Sequence, residues 1–356
     1  MSGNAKRYFY LIVVFILAGC VEPIEFDIDR EGRQLVVYGH IDDGSDRMFV
    51  QLSRTTAVPN RFQPEPGARV TLHDNLGNEG RFFSANDEGI YYYSEFTMQI
   101  VPGRSYVLRI RTAGGDFYES VPEEIPLHQA QSDIYVNFAR IEVNTGSFNA
   151  VITKDVMQVS AETFLEDPSK QYYVRYTPIQ TFRFDPTNFP DIFNTIPPAC
   201  FVNRRIQPEN LVLFNSNGFQ GTAVPRQFIA QNEIDYAFIA KNVITLETHS
   251  MTPQAYDYWR KIRILLNNNG SIFDTPPAAV KGNIFNINDP DEQVLGYFEA
   301  TNKSISRVTA WRGDFPYPVP DDPCIYIPGQ DEEKYLRECI DCRILEGSTF
   351  NQPSFY

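Results

Sequence analysis

The sequence predicts an all-β protein: an N-terminal antiparallel sandwich, then a second β-rich domain with one amphipathic helix and a cysteine-bearing tail. Three observations carry that prediction. Tyr and Phe number 20 and 27 in the 356-residue chain, and 25 prolines punctuate it. Aromatic side chains suit pleated, half-buried surfaces, and prolines interrupt strands with loops. Short segments with alternating apolar and polar residues recur between Gly, Pro, Asn and Asp turns, which is the period of a strand with one buried face. The four cysteines beyond residue 20 are an even set, as disulfides require.

The first residues read as an export signal. Lys6 and Arg7 are a basic n-region, and residues 8–17 (YFYLIVVFIL) are apolar throughout. A run of about ten residues suits a signal-peptide core and is well short of the roughly 20 needed to span a bilayer as a helix. It ends in Leu17-Ala18-Gly19-Cys20, where small residues precede a cysteine that can take a diacylglyceryl group. Residues 1–19 are therefore expected to be removed and Cys20 to be lipidated, with membrane lipid as the first partner. Each buried methylene adds about 0.8 kcal/mol of membrane affinity, so two or three acyl chains hold firmly. An ordinary cleaved signal ending in Gly-Cys is the plainer alternative. Residues 20–30 form an acidic tether carrying Glu22, Glu25, Asp27 and Asp29, with no Asp directly after the cysteine. That pattern points to the outer membrane, on its cell-surface face.

The formal net charge is −14, and losing Lys6 and Arg7 makes the mature chain more acidic still. No basic patch with interleaved aromatics occurs, so nucleic acid is not an expected partner.

Strands of the first domain, residues 31–125, are expected over 34–41 (QLVVYGHI), 48–53, 68–73, 80–84, 89–94, 105–112 and 117–121. Residues 122–126 read as a linker. The second domain, residues 126–356, continues with strands over 132–144, 148–152, 158–164 and 172–184, then long loops over 185–210. Further strands are expected over 211–215, 218–227, 237–248, 283–286 and 292–300.

One helix is expected over 253–267. Thr252 is a good N-cap and Pro253 sits where its missing N–H costs nothing. Tyr256, Trp259, Arg263 and Leu266 recur at helical spacing, widened by Ile262 and Leu265, and Asn267 to Gly270 stop the run.

Cys200, Cys324, Cys339 and Cys342 are expected to form two disulfides, with three connectivities open. A zinc site competes, but only Cys339 and Cys342 are closely spaced. A redox pair competes too, but such a pair opens a helix. Here the pair is expected to follow a short helix over 331–337.

No catalytic constellation emerges. His40, His73, His128 and His249 lie in no zinc-protease spacing, and there is no nucleophile elbow or phosphate loop. Asp42/Asp43 and Glu123/Glu124 read as solvated turn residues. The oxygen-rich stretches 74–79 and 289–292 match no twelve-residue calcium loop and read as plain turns. The expectation is no enzyme, no cofactor and no metal.

Several segments resemble a large Bacteroidota outer-membrane lipoprotein family of uncharacterised function. They are 34–41 (QLVVYGHI), 67–74 (GARVTLHD), 103–110 (GRSYVLRI), Tyr256-Asp257-Tyr258-Trp259, 272–278 (IFDTPPA) with Gly282-Asn283, and Gly296-Tyr297-Phe298. The closing Cys339-Ile340-Asp341-Cys342-Arg343 and Pro353-Ser354-Phe355-Tyr356 also fit, although members more often end in Phe-Trp. The likeness covers nearly the whole mature chain. It implies an immunoglobulin-like N-terminal β-sandwich with a second β-rich domain. It also implies an accessory lipoprotein beside a SusC-type TonB-dependent transporter, helping capture cargo or organise the complex. It names no cargo and carries over no ligand or catalytic residues. Two other functions stay open: a stand-alone glycan- or peptide-binding module, suggested by the aromatic content, and a hydrolase with an unrecognised site.

Overall fold

Leu35, Val37, Gly39 and Ile41 are buried in strand β1 (Leu35–Asp42) while Val36, Tyr38 and His40 between them are half-buried. That alternation sets the plan of the fold, because one face of β1 enters an apolar core and the other meets a polar layer. The structure, a computed structural model, describes residues 33–44, 48–56, 58, 61–84, 86–94, 96–144, 151–190, 197–267 and 280–356. The signal segment, Cys20, the acidic tether and residues 272–278 lie outside the described residues.

The all-β prediction holds. The first strands are β1, β2 (Phe49–Thr55), β3 (Phe62–Pro64), β4 (Arg69–Asp74), β5 (Glu79–Ser84), β6 (Ile90–Tyr93), β7 (Ser105–Arg111), β8 (Phe117–Ser120) and β9 (Glu123–Glu124). β10 (Ala130–Asn144), β11 (Val151–Leu165), β12 (Tyr173–Phe184), β13 (Cys200–Arg205), β14 (Val212–Asn215), β15 (Ala223–Glu233) and β16 (Asn242–Ser250) follow. Helix α1 (Pro253–Asn267), β17 (Ile284–Asn286), β18 (Leu295–Ala310), the single turn α2 (Arg337–Ile340) and β19 (Ser348–Thr349) complete the chain.

β6 pairs with both β5 and β2, so the N-terminal strands wrap into two layers. Val50, Leu52, Leu72, Tyr106, Leu108 and Tyr118 fill the space between them. In the second half, β10, β11 and β15 form a sheet of their own. It lies over β16 and β18, and Met157, Val174, Tyr176, Ile229, Phe238 and Leu246 lie in the core between.

β18 belongs to both halves. Its first residues pair in parallel with β1, from Val36 opposite Leu295 to Asp42 opposite Thr301. The rest pairs antiparallel with β16, from Ser250 opposite Asn302 to Asn242 opposite Ala310. Phe298 and Ala300 join the first core, together with Ile284 of β17. Two glycines allow the approach. Gly296 has φ +93° and a side chain there would strike the Val37 carbonyl, while one on Gly282 would strike the Gly296 carbonyl. Asn283 then serves as a strand partner, accepting from the Phe298 N–H at 2.9 Å and donating to its carbonyl at 2.7 Å.

Several local expectations change. The strands expected over 218–227 and 237–248 begin only at Ala223 and Asn242, and Tyr236–Ile239 is a 3-10 turn. The loops expected over 185–210 include β13, because Phe201 and Val202 are buried against β12. The linker expected over 122–126 contains β9, paired with Ser105 and Tyr106. The two strands expected over 148–152 and 158–164 are one strand from Val151, in which Lys154 and Asp155 are ladder members of a projecting hairpin, not a break. Lastly, the short helix expected over 331–337 is a 3-10 turn at Glu332–Lys334 followed by α2, because Tyr335 and Leu336 take extended backbone. Cys339 therefore sits within α2, not after a helix.

Candidate functional site

The four cysteines pair as Cys200–Cys342 and Cys324–Cys339, resolving the connectivity left open by the sequence. They staple the tail to β13 and to itself. Thiols committed to disulfides are not nucleophiles or metal ligands.

Ionisable residues gather on the face of β1, β18, β16 and β12 turned away from the first core. The register brings them together: His40 lies opposite Glu299, His249 opposite Lys303, and Arg175 opposite His249. His40 holds Glu299 through Nδ1 and Asp42 through Nε2, each at 3.0 Å. Lys303 reaches Asp42 at 3.0 Å and Glu247 at 3.7 Å. Arg175 bonds Glu299, and its guanidinium lies 4.7 Å from the centre of the Trp259 ring. Trp259, on α1, donates its indole N–H to the other Glu299 oxygen at 2.6 Å.

These carboxylates stay ionised. Burial pushes Glu299 up, but the Arg175 charge and the His40 bond outweigh it and hold it at about 2. Glu247 is likewise pushed up by burial and brought to about 2 by the His249 bond and the Lys303 charge. Burial raises Asp42 too, and His40 and Lys303 more than reverse it. For His40, burial favours the neutral ring, yet the bonds to Asp42 and Glu299 raise its pKa overall. His249 goes the other way: burial and the charges of Arg175 and His40 bring it to about 4 despite the Glu247 bond. Arg175, Lys303 and His40, whose two ring nitrogens both face carboxylates, thus lie against Asp42, Glu247 and Glu299. Each charge is spent on a neighbour, as a buried ion network requires.

Within this layer Thr301, His249 and Glu247 form a hydroxyl–imidazole–carboxylate series, at 3.3 Å and 3.4 Å. Thr301 is 0% exposed and His249 3%. That hydroxyl is closed to solvent in this arrangement, whereas a nucleophile has to meet its substrate.

Beside the layer lies an open cleft of about 720 Å³, between the first sandwich and the N-terminus of α1. Glu123 lies in its lining and is 3% exposed. It accepts from the hydroxyls of Thr252 and Tyr297, the latter at 3.1 Å, and distantly from Asn283 at 3.5 Å. Thr252 also caps α1 by accepting from Ala255 N–H at 3.2 Å. Tyr297 stacks on Tyr258 with ring centres 4.6 Å apart. Burial, reinforced by the Glu299 charge, pushes Glu123 up to about 7 against the pull of its hydrogen bonds. Among the described residues it has no cationic partner.

The structure therefore corrects the reading of Asp42 and Glu123 as solvated turn residues. Their sequence neighbours Asp43 and Glu124 are more exposed, since successive residues of an extended chain face opposite ways. Asp74, in the stretch 74–79, spends its oxygens on Leu76 N–H, on Asn78 and on Arg104, which is the bonding of a turn. Among the described residues no group of three or more His, Cys, Asp or Glu is arranged to hold a metal ion. Sequence reasoning singled out neither Arg175, Glu247, Glu299 nor Lys303. The available signal was a charge at an inward position of an apolar strand, as at Glu299 within residues 292–300.

A family model described as Domain of unknown function (DUF4249) matches residues 21–307. The chain belongs to this family. The match takes in the first core, the polar layer and the cleft, while the second core reaches past its end through Ala310, Phe315 and Tyr335. Cys324, Cys339 and Cys342 lie beyond it. No curated protein matches the chain.

Proposed function

We propose that this DUF4249 protein is a non-enzymatic, lipid-anchored accessory protein of the outer membrane. In this reading acylated Cys20 holds it on the cell-surface face. There it works beside a SusC-type TonB-dependent transporter, capturing cargo or organising the complex. The observation that carries the binding part is the contrast between charges. Those of the polar layer are consumed internally, while the Glu123 cleft opens to solvent with polar liners. The membrane and transporter parts are supported by the Leu17-Ala18-Gly19-Cys20 signal and by the likeness to Bacteroidota lipoproteins encoded beside such barrels.

The test is recovery of C-terminally tagged protein from detergent-solubilised outer membranes, followed by mass spectrometry, with Cys20→Ala as the unanchored control. Stoichiometric co-recovery of one TonB-dependent barrel with the wild type is the expected result. Wild-type protein recovered alone defeats the transporter reading and favours a stand-alone glycan- or peptide-binding lipoprotein, which the same cleft also suits.

A further inference from the structure

The Glu123 carboxyl is built unlike every other buried carboxylate described above. Asp42, Glu247 and Glu299 each face a cation, whereas Glu123 faces only neutral donors: two hydroxyls and an amide. A carboxylate has about four acceptor positions, and these donors leave one free. The helix end at Thr252 and Pro253 favours negative charge beside it, but supplies no full positive charge. The cleft has ample room for a small organic molecule, and its rim carries Ser105, Gln254 and Asn283 as uncharged polar groups. Lys261 lies at the same rim but is bonded to Asp257 at 2.7 Å, and the lining also carries the exposed pair of opposite charges Lys281 and Glu124, of which Lys281 makes no ion pair with Glu123 among the described residues.

We propose that the cleft binds a ligand bearing a protonated primary amine, with Glu123 as its counter-ion and Thr252, Tyr297 and Asn283 orienting that carboxylate. This rests on the binding-protein reading and gives the ligand a chemical class. The ammonium supplies the missing positive charge and takes the remaining acceptor position. Because Glu123 holds its proton up to about pH 7, binding of an ammonium that is fully charged at that pH drives that proton off. The expected uptake of ligand is therefore coupled to proton release, and binding tightens as pH rises through 7.

The experiment is isothermal calorimetry of the intact mature protein with pentane-1,5-diamine, at pH 7 in phosphate and in MOPS, neither of which carries a primary amine. These buffers differ in ionisation enthalpy and so report released protons. Pentane-1,5-diol is the neutral isostere on the wild type, and Glu123→Gln is the protein control. Saturable diamine binding is expected, with about half a proton released, since a group titrating near the working pH is half protonated. The diol and the Gln variant are each expected to be weaker by tenfold or more. Absent diamine binding, equal binding of the diol, or binding with no proton release overturns the inference. Because the diol comparison uses wild-type protein, it decides the matter even if Glu123→Gln fails to fold. None of these outcomes touches the pull-down, so the accessory reading stands or falls separately.

Discussion

The polar layer and the Glu123 cleft are neighbours on β18, yet they bury charge in opposite ways. Glu299 is surrounded by Arg175, His40 and Trp259 and stays ionised. Glu123 is as deeply buried, has no cation, and keeps its proton to about pH 7. Tyr297 and Glu299 lie two residues apart on one face of the strand, so a single turn of α1 touches both regions: Tyr258 stacks on one residue and Trp259 bonds the other. Charge that is internally matched fixes how strands from the two halves align. Charge left unmatched in an open cleft has an interaction still to make.

The largest expected break in this comparison is Glu299→Ala, which strands Arg175 and His40 without their shared partner. Removing one member of a buried ion pair costs about 3–5 kcal/mol, measurable by denaturant unfolding. A loss under about 1 kcal/mol would mean that the layer behaves as a solvated surface pair.

The two regions should next separate by the sign of their pH dependence. Glu247 and Glu299 are brought from 4.5 to about 2 in the fold, so their stabilisation is present above pH 4.5 and fades towards 2. Glu123 is raised from 4.5 to about 7, so the native state binds the extra proton. Its contribution is full below pH 4.5 and is lost as pH rises to 7, on the order of 3 kcal/mol. Unfolding curves of wild type and Glu123→Gln between pH 4.5 and 7 should therefore converge or cross as pH rises. Parallel curves would place Glu123 among the matched charges.

A smaller effect, about 2 kcal/mol, is expected for Trp259→Phe, which keeps an aromatic ring but removes the donor to Glu299. Thermal unfolding reads it, and the loss should shrink when Glu299 is already Ala. Asp257→Asn should be nearly silent at about 0.5 kcal/mol, because its bonds to Arg260 and Lys261 are exposed same-helix pairs. A large loss there would show the cleft rim to be structural.

Much of this fold was legible in the sequence, and the site was not. β1, β4, β7 and β8 follow the alternation of residues 34–41, 68–73, 105–112 and 117–121, and α1 spans the residues marked by Thr252, Pro253 and Asn267. Local period and capping suffice for those. β13 escaped because a short buried strand between proline-rich loops has too few residues to display a period. The site escaped for a different reason. Glu123 and Asp42 sit in stretches whose local chemistry is that of turns, and their burial comes from partners such as Tyr297 and Lys303, far along the chain. Charge pairing between strands depends on register, and no local pattern records the parallel pairing of β1 with β18.

That parallel pairing also bears on force. In the lipid-anchored reading proposed above, a tether attached ahead of Leu35 would pull β1 along its own axis, with β18 at its side in register from Val36 to Asp42. Bonds across such a pair are sheared together, whereas a hairpin pulled at its open end parts one bond at a time. Tension from a moving membrane partner would thus meet its resistance at the seam between the two cores, ahead of any loop, and reach the cleft-lining strand within the same seam.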